Sequence, residues 1–547
     1  MSTNSSGTKM ESRRTTIIAV GFMVFATFFG AGNLIFPPYL GFMGGSHWII
    51  GFIAFIIFDA VLGIMGLAAS GKFPKVEIGT MYRPGRTFMI VLGCIATFVG
   101  SILVVLPRTA LTSYEVFILP LSKGFPEEGV VMPKQVSALA VIFMVVFFAL
   151  VFLMAFRPTK VVDVVGKIMT PIKISVVFIL IVIGLIAAGV KGVPSGAERP
   201  VEMPTGTPSL FSFGVQQGLQ TFDAATGTII AVIIIAGLVG KGITKSSEQT
   251  KVILQAGVFG AICLFIIYVG LAILGYMYRT DPTIVAYCDP SLGCAIDQTW
   301  LLQYIMLHSV GRFGLFLFGL TVLIATLLTA VGCVSLTSEY FSSISGRKLK
   351  YTNLVVVCLV LAFIIGLILT GTGGVQKLLD LTIPFLLVTA PISVVLIILN
   401  LFSHWIKNDN VYRGATIMAG LWGLVYGLGY AFYAFGPVIS IPDVYTGHAP
   451  SQSLNWFYNI LGVMYGPNNY SNNFGVGVAG ADYGKWNLIF GWVGDLGYVI
   501  PAIVGGLIGA LIKYKGYEER PYLREHEGDD DFDFKALAAK KAALAQQ

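Results

Sequence analysis

The sequence predicts an all-α integral membrane protein of about twelve transmembrane helices, and three observations support this fold class. Of the 547 residues, 56% are hydrophobic and only 12% are charged, with a mean hydropathy of +0.81, whereas soluble domains carry about 25% charged residues. Apolar stretches of the roughly 20 residues that a helix needs to cross a bilayer recur along the chain. Short loops between them contain most of the charged residues, so membrane lipid is the expected solvent of the fold.

Hydropathy, with Gly, Pro and charged residues as boundaries, places the individual spans. Spans one to five are predicted at Ile17–Leu40, Trp48–Ala69, Thr87–Leu119, Ser137–Ala155 and Thr170–Val190. Spans six to twelve are predicted at Leu210–Val239, Val252–Met277, Gly311–Tyr340, Asn353–Leu369, Leu378–Phe402, Thr416–Phe435 and Ile489–Ile512. No cleavable signal peptide is predicted, because the first apolar stretch is too long and lacks a small-residue cleavage site.

The distribution of basic residues predicts the orientation of the chain. If the N-terminus is cytoplasmic, most of the 35 Lys and Arg residues fall in cytoplasmic segments, as the positive-inside rule requires. These residues are scattered among loops without an aromatic platform, which argues against nucleic-acid binding. The predicted organisation is then an N-terminal tail (1–14), a core (15–435) with inverted repeats at 15–190 and 208–403 and the eleventh helix, a long external loop (436–486), the twelfth helix (487–513) and a cytoplasmic C-terminal tail (514–547).

Spans one and six contain residues that should interrupt a membrane helix. Span one includes Gly30, Gly32 and Asn33 at mid-membrane, where backbone gaps survive only inside protein or beside a cavity. Span six carries three glutamines, a threonine and Asp223 between residues 216 and 223. Interrupted helices at matching places in two halves are typical of the midplane binding site of transporters. Two alternatives remain open: a tight helix-packing face in span one, and a purely structural hydrogen-bond network in span six.

Ionisable residues within other spans are costly unless they are paired or functional. Asp59 lies in span two, and Arg108 and Glu115 lie in span three. One interpretation is a structural ion pair between Asp59 and Arg108. The other places Arg108 beside the binding pocket and makes Asp223 a proton-sensitive gate.

A family resemblance rests on residues 28–38, whose sequence FFGAGNLIFPP closely resembles the signature of the bacterial branched-chain amino acid:cation symporter family. Further similar segments are Pro107–Ala110, Ser113–Glu115, Gly166–Lys167, Thr170–Pro171, Gln217–Gly218, Thr221, Asp223 and Ser338–Ser342. The resemblance covers about residues 15–435. It implies the five-plus-five leucine-transporter fold of the APC superfamily, and uptake of leucine, isoleucine and valine with Na⁺ or H⁺ across the bacterial cell membrane. The segment Pro437–Lys485 looks long for this family.

The chemistry of a zwitterionic substrate indicates its binding residues. Half-helix N-termini present free N–H groups and a positive dipole end to a carboxylate, so the N–H groups of Ala31, Gly32 and Asn33 are assigned to it. Gly30 and Gly32 permit close backbone approach. Carbonyl groups at the second break are assigned to the ammonium group. The expected apolar walls are Phe28, Phe29, Phe213 and Phe222, and the complete predicted substrate site is Phe29, Gly30, Ala31, Gly32, Asn33, Gln217, Gly218, Gln220 and Thr221.

The resemblance also implies a site for the coupling cation, most simply Na⁺, between spans one and eight. Carbonyl groups of Ala26 and Phe29 would meet the hydroxyl groups of Thr326 and Thr329, which share one helix face and offer the oxygen ligands that a hard cation prefers. The alternative is that these threonines bond to their own helix. Asn33 and Thr221 could support a second cation. Alternatively, the ammonium group of Lys173 in span five could occupy the position of the sodium ion, as in some sodium-independent relatives of this fold.

Other functions and sites are less well supported by the sequence. A channel would need a continuous polar pore, and an enzyme would need a convergent nucleophile or metal-ligand set; neither pattern is present. No cofactor, metal-ligand spacing or obligate protein partner is predicted, apart from the coupling ion and the small-molecule substrate. Cys288 and Cys294, separated by five residues in an external loop, are predicted to form a small disulfide-closed turn on the oxidising side of the membrane.

Overall fold

The computed structural model describes residues 13–71, 83–123, 136–156, 170–193, 210–224, 246–287, 296–403, 408–435 and 498–512, with a few single positions between them. All regular secondary structure in these residues is helical. Seven helices in this part of the chain are long and apolar enough to span a membrane, or eight if one bent pair counts as a single span. The predicted fold class, an all-α integral membrane protein, is confirmed.

The helices follow the predicted spans closely. The first half contains α1 (Arg13–Phe28), α2 (Ala31–Met43), α3 (Trp48–Ile56), α4 (Leu62–Gly71), α5 (Arg86–Thr97), α6 (Leu106–Ser113), α7 (Leu119–Lys123), α8 (Ala138–Ala155) and α9 (Thr170–Lys191). The second half contains α10 (Leu210–Leu219), α11 (Ser246–Met277), α12 (Pro282–Val285), α13 (Gln298–Ile344), α14 (Tyr351–Thr370), α15 (Gly374–Leu401), α16 (Asp409–Phe435) and α17 (Val499–Leu511). The predicted long external loop, both terminal tails and most of residues 225–245 lie outside the described residues.

Span one is broken as predicted. Its two halves, α1 and α2, meet at an angle of 72°. The N–H group of Gly30 donates to the Phe28 carbonyl (2.8 Å) and to Asn33 Oδ1 (3.0 Å), although in a continuous helix it would bond to the Ala26 carbonyl. The break therefore removes the helical donor of Ala26 and begins a new helix whose first N–H groups have no intrahelical acceptor.

Span six is broken after α10. The chain turns at Gln220–Phe222, where the Thr221 N–H donates to the Gly218 carbonyl and the Phe222 N–H donates to the Leu219 carbonyl. Phe222 has a φ of 66°, a left-handed conformation that favours glycine. Since Thr221 does not donate to Gln217, the carbonyl of Gln217 loses its helical partner. Both predicted interruptions are present, and the described geometry of each exposes backbone groups.

Short π-helical segments interrupt spans two and three, where the sequence predicted regular helix. One segment, Ile57–Val61, contains Asp59 between α3 and α4. The segments Phe98–Val105 and Tyr114–Ile118 lie on either side of α6, which carries Arg108, and the second contains Glu115. Such bulges insert an extra residue into the helix and often mark functional sites. The ionisable side chains of these spans thus lie within or beside irregular turns.

Span eight is preceded by a helix that the sequence did not predict. Residues 298–310 are helical and join the predicted span at a kink, where Gly311 has a φ of 74°. The predicted beginning of the span at Gly311 coincides with this kink. Residues 298–310 carry Thr299 and Gln303, which contact span three.

The last two described helices, α16 and α17, pack backbone against backbone. A Cβ atom at Gly414 would overlap the Gly505 carbonyl, and one at Gly509 would overlap the Asn410 carbonyl. Such small residues let membrane helices approach closely, so that van der Waals contact holds them together. The pair therefore forms a tight unit at the edge of the described fold, beside α15.

Candidate binding site between the two helix breaks

Asn33 connects the break of span one to two buried acids. Its Oδ1 accepts the N–H of Gly30, and because this backbone donor identifies the oxygen, the amide nitrogen faces the other way. Asn33 Nδ2 lies 3.3 Å from Asp59 Oδ1, 3.1 Å from Asp223 Oδ2 and 2.5 Å from the Tyr268 hydroxyl. All four side chains are buried. Residues from spans one, two, six and seven thus meet at one amide group.

This cluster changes the predicted role of Asn33. Its oxygen is occupied by Gly30, and its nitrogen donates to carboxylates, so Asn33 offers no oxygen to a second cation in this arrangement. The amide has two hydrogens for three acceptors. Tyr268 was not predicted, because nothing in the sequence distinguishes it from the other 22 tyrosines.

Arg108 does not form the ion pair with Asp59 that one interpretation of the sequence predicted. Its Nη1 donates to the Gln220 carbonyl at 2.8 Å, and its guanidinium lies over the Phe36 ring at 5.6 Å. A Cβ atom at Gly32 would lie 2.7 Å from Nη2. The two side chains do not pair because they lie on different faces of α2. Asp59 lies beside Asn33, whereas Arg108 lies beside Gly32 and reaches the second break.

Several buried polar atoms of the second break and of spans two and three have no partner among the described residues. They are Arg108 Nε, Thr112 Oγ1, Gln217 Oε1, Gln220 Oε1 and Asp59 Oδ2. A buried polar atom without a hydrogen bond is costly, and so large a group beside two helix breaks indicates that a polar ligand completes the site.

The predicted substrate residues lie in different surroundings. Ala31, Gly32 and Asn33 form the buried first turn of α2, as the assignment of a carboxylate to their N–H groups requires. Gly218 instead packs against span two, since a Cβ there would lie 2.9 Å from the Phe55 carbonyl. The Thr221 hydroxyl donates to the Gly218 carbonyl at 2.6 Å. Gly218 and Thr221 thus shape the break by helix packing and a local hydrogen bond.

The predicted aromatic walls separate into two groups. Phe28 packs near Gly63 in span two, and Phe222 packs against Gly100 in span three. Phe29, directly after the end of α1, stacks on Phe25 with ring centroids 4.9 Å apart, and Phe213 makes an edge contact with Tyr39. Of the four, Phe222 is only half-buried and lies at the break itself, so it is the side chain best placed to contact a ligand.

Of the two threonines predicted as cation ligands, Thr329 faces the break of span one. A Cβ atom at Gly30 would lie 3.4 Å from Thr329 Oγ1, so this hydroxyl group faces the gap between α1 and α2. Thr329 also donates to the Ala325 carbonyl at 3.0 Å. The Thr326 hydroxyl donates to carbonyls of its own helix and contacts the Ser113 hydroxyl. The self-bonding alternative therefore describes both threonines in this ligand-free structure, while Thr329 keeps the predicted position.

The remaining predicted residues lie apart from the breaks or outside the described residues. Glu115 joins three elements: Oε2 accepts from the Thr299 hydroxyl at 2.8 Å, Oε1 accepts from the Val375 N–H at 3.0 Å, and its carbonyl accepts from Gln303 Nε2. It is a structural tie between spans three and ten and the helix at 298–310. Lys173 lies in α9, but its side chain is not among those described, and Cys288 and Cys294 lie outside the described residues.

Comparison with known proteins assigns the family. Residues 13–463 match the family model of the branched-chain amino acid transport protein, which covers most of the chain. The chain belongs to this family. Its members are transport proteins rather than enzymes. The branched-chain amino acid permease BraB of Bacillus subtilis is 30% identical over 82% of this chain and 93% of that relative.

A solved structure supports the fold of this family member. A variant of the manganese transporter of Eremococcus coleocola aligns over 92% of this chain and 97% of its own, with a TM-score of 0.52 and 14% sequence identity. At this identity the likeness concerns the fold alone. It agrees with the leucine-transporter fold, two five-helix repeats with broken first helices, that the sequence predicted.

Proposed function

We propose that this protein is a symporter that imports leucine, isoleucine and valine together with a cation, by alternating access across the bacterial cell membrane with both termini in the cytoplasm. The observation that carries the proposal is the pair of opposed helix breaks lined by unpartnered polar atoms, in a chain of the branched-chain amino acid transport protein family. A zwitterion needs polar partners at membrane depth, and these breaks supply them.

The proposed binding mode assigns each end of the substrate to one break. The N–H groups of Ala31 and Gly32, at the positive end of α2, receive the carboxylate. The Gln217 carbonyl, which has lost its helical donor, and the amide oxygen of Gln220 accept from the ammonium group. The aliphatic side chain then contacts Phe222. Because one methylene in an apolar pocket discriminates by only about 1–3 kcal/mol, the three branched-chain amino acids should share the site.

The proposed coupling ion is Na⁺, bound where the carbonyl groups of Ala26 and Phe29 face Thr329. The freed carbonyl of Ala26 and the position of the Thr329 hydroxyl support this assignment. Coupling matters because moving one charge down a 100 mV potential releases about 2.3 kcal/mol, which a zwitterion alone does not gain. Proton coupling is the alternative, because the buried carboxyl groups of Asp59 and Asp223 are groups that can bind a proton. The test therefore includes a pH gradient.

The test is uptake of radiolabelled leucine into proteoliposomes containing the purified protein. We expect saturable uptake that is accelerated by leucine on the opposite side, inhibited by isoleucine and valine, and driven by an inward sodium gradient. A flux that rises without saturation would indicate a channel and contradict the proposal. Uptake that does not depend on sodium but responds to a pH gradient would show that the coupling ion is the proton and not sodium.

A further inference from the structure

Arg108 is a buried cation with unused hydrogen-bonding capacity. It lies in α6 between two π-helical segments and is 3% exposed. Its Nη1 donates to the Gln220 carbonyl, but its Nε has no partner among the described residues. A buried guanidinium normally uses its fork of donors on a carboxylate or a set of oxygens. In this structure the Arg108 guanidinium therefore has at least one N–H donor that no described residue accepts.

The guanidinium faces the positive end of a helix. Nη2 lies against Gly32 in the first turn of α2, where unpaired N–H groups carry a partial positive charge. Two positive groups in contact in a buried site repel each other unless an anion lies between them. The unused N–H donors of Arg108 and the positive end of α2 therefore both favour an anionic ligand.

The nearby acids do not complete this site by contact. Asp59 and Asp223 interact electrostatically with Arg108, but both are within hydrogen-bonding distance of Asn33, on the neighbouring face of α2. Neither forms an ion pair with Arg108 in the described structure. The Phe36 ring lies beside the guanidinium and helps to fix its plane. The described acids therefore do not supply an anion to Arg108 and the first turn of α2, and because Nη2 lies against Gly32, the flexible end of Arg108 must shift for an anion to reach both.

We infer that Arg108 binds the α-carboxylate of the transported amino acid, acting with the N–H groups of Ala31 and Gly32. The inference rests on the proposed function, and it names a side-chain ligand where the helix break alone supplies only backbone groups. It also links the two breaks. A carboxylate bound to the guanidinium competes with the Gln220 carbonyl, so substrate binding weakens the bond that holds the turn of span six against span three.

The test compares leucine with isoamylamine, which is leucine with its carboxylate replaced by hydrogen. Binding of both to the purified full-length protein is measured by isothermal titration for wild type, Arg108→Gln and Arg108→Lys, with thermal unfolding as the check of folding. We expect wild type to prefer leucine strongly. Arg108→Gln should weaken leucine binding by about ten-fold or more and leave the amine almost unaffected, so that the preference shrinks. Arg108→Lys, which keeps the charge without the planar fork, should lie between the two.

Each other outcome contradicts the inference in a recognisable way. If both variants keep the wild-type preference for leucine over the amine, Arg108 does not contact the carboxylate, and the proposed function is unaffected. If leucine and the amine weaken equally, Arg108 is only structural. If Arg108→Gln does not fold, the preference measured for Arg108→Lys decides.

The control variant is Arg347→Gln, because Arg347 forms an exposed ion pair with Glu339. Wild-type protein that transports no leucine would instead overturn the proposed function.

Discussion

The α-carbon of Gly32 faces the guanidinium of Arg108 so closely that a methyl group at position 32 would lie 2.7 Å from Nη2. The methyl group would also lie 2.8 Å from the buried Phe36 ring, so the flexible end of Arg108 and this ring must both shift to accommodate Gly32→Ala. The guanidinium would then be displaced from the first turn of α2. We expect leucine uptake to fall by about ten-fold or more, with unchanged abundance in the membrane.

The matched control for this prediction is Gly332→Ala in α13, where a Cβ atom meets nothing within 4 Å. That variant should transport normally. Full leucine uptake by Gly32→Ala, measured in the same proteoliposome assay, would move the substrate site away from the break of span one.

Thr329 offers a test of the sodium site that leaves shape almost unchanged. Thr329→Val replaces the hydroxyl that faces Gly30 by a methyl group of similar size. If this hydroxyl is a sodium ligand, the sodium concentration needed for half-maximal leucine uptake should rise by about ten-fold. Thr389→Val is the control, since that threonine is half-buried and its hydroxyl group donates to the Phe385 carbonyl of its own helix in the same way. An equal sodium dependence in both variants would leave Thr329 as a structural residue.

Asn33→Ala should destabilise the protein through two losses. It removes one of the two acceptors of the Gly30 N–H, a hydrogen bond worth about 0.5–1.5 kcal/mol, and it removes the donor shared by Asp59 and Asp223. Thermal unfolding in detergent should therefore begin at a clearly lower temperature. Asn400→Ala is the comparison: Asn400 is also buried, but its amide donates to the Leu396 carbonyl of its own helix. Equal stability of the two variants would contradict a central role for Asn33.

Glu115→Ala tests the tie between spans three and ten. Glu115 accepts hydrogen bonds from Thr299 and from the Val375 backbone, and an alanine side chain accepts neither. The Thr299 hydroxyl can turn to Asp297 Oδ1, but the Val375 N–H in the first turn of α15 would be left unpaired, which should cost about 1–3 kcal/mol. The exposed Glu339, paired with Arg347, should tolerate the same change with a loss of about 0–1 kcal/mol. Thermal unfolding of the two variants measures the difference, and an equal loss would show that the tie contributes little.

The sequence predicts the fold and both helix breaks because local chemistry determines them. Glycines, amides and a carboxylate cannot continue a lipid-facing helix, so residues 28–33 and 212–223 identify the interruptions without any tertiary information. The first turn of α2 follows from the same logic, whereas the place of Thr329 beside the break was implied by the family resemblance. The beginning of span eight at Gly311 also agrees with the kink in α13.

The partners of the ionisable residues could not be predicted, because they depend on how distant spans meet. One of the two interpretations paired Asp59 with Arg108, but the π-helical turn at Ile57–Val61 and the amide of Asn33 determine where the Asp59 carboxylate lies. A π-helical segment has no clear sequence pattern, since it adds a residue without changing composition. The packing of Gly218 against span two could not be predicted for a related reason: a glycine near a binding site and a glycine packed against another helix look alike in a sequence.

The glycine contact between α16 and α17 has a consequence for how the molecule moves. Where carbonyl oxygens lie directly over α-carbons, no side chain can change rotamer to let one helix slide along the other. A change of position in α16 must carry α17 with it as a rigid unit. Spectroscopic labels placed on these two helices should therefore keep a constant separation while the distances from either one to α2 change during turnover.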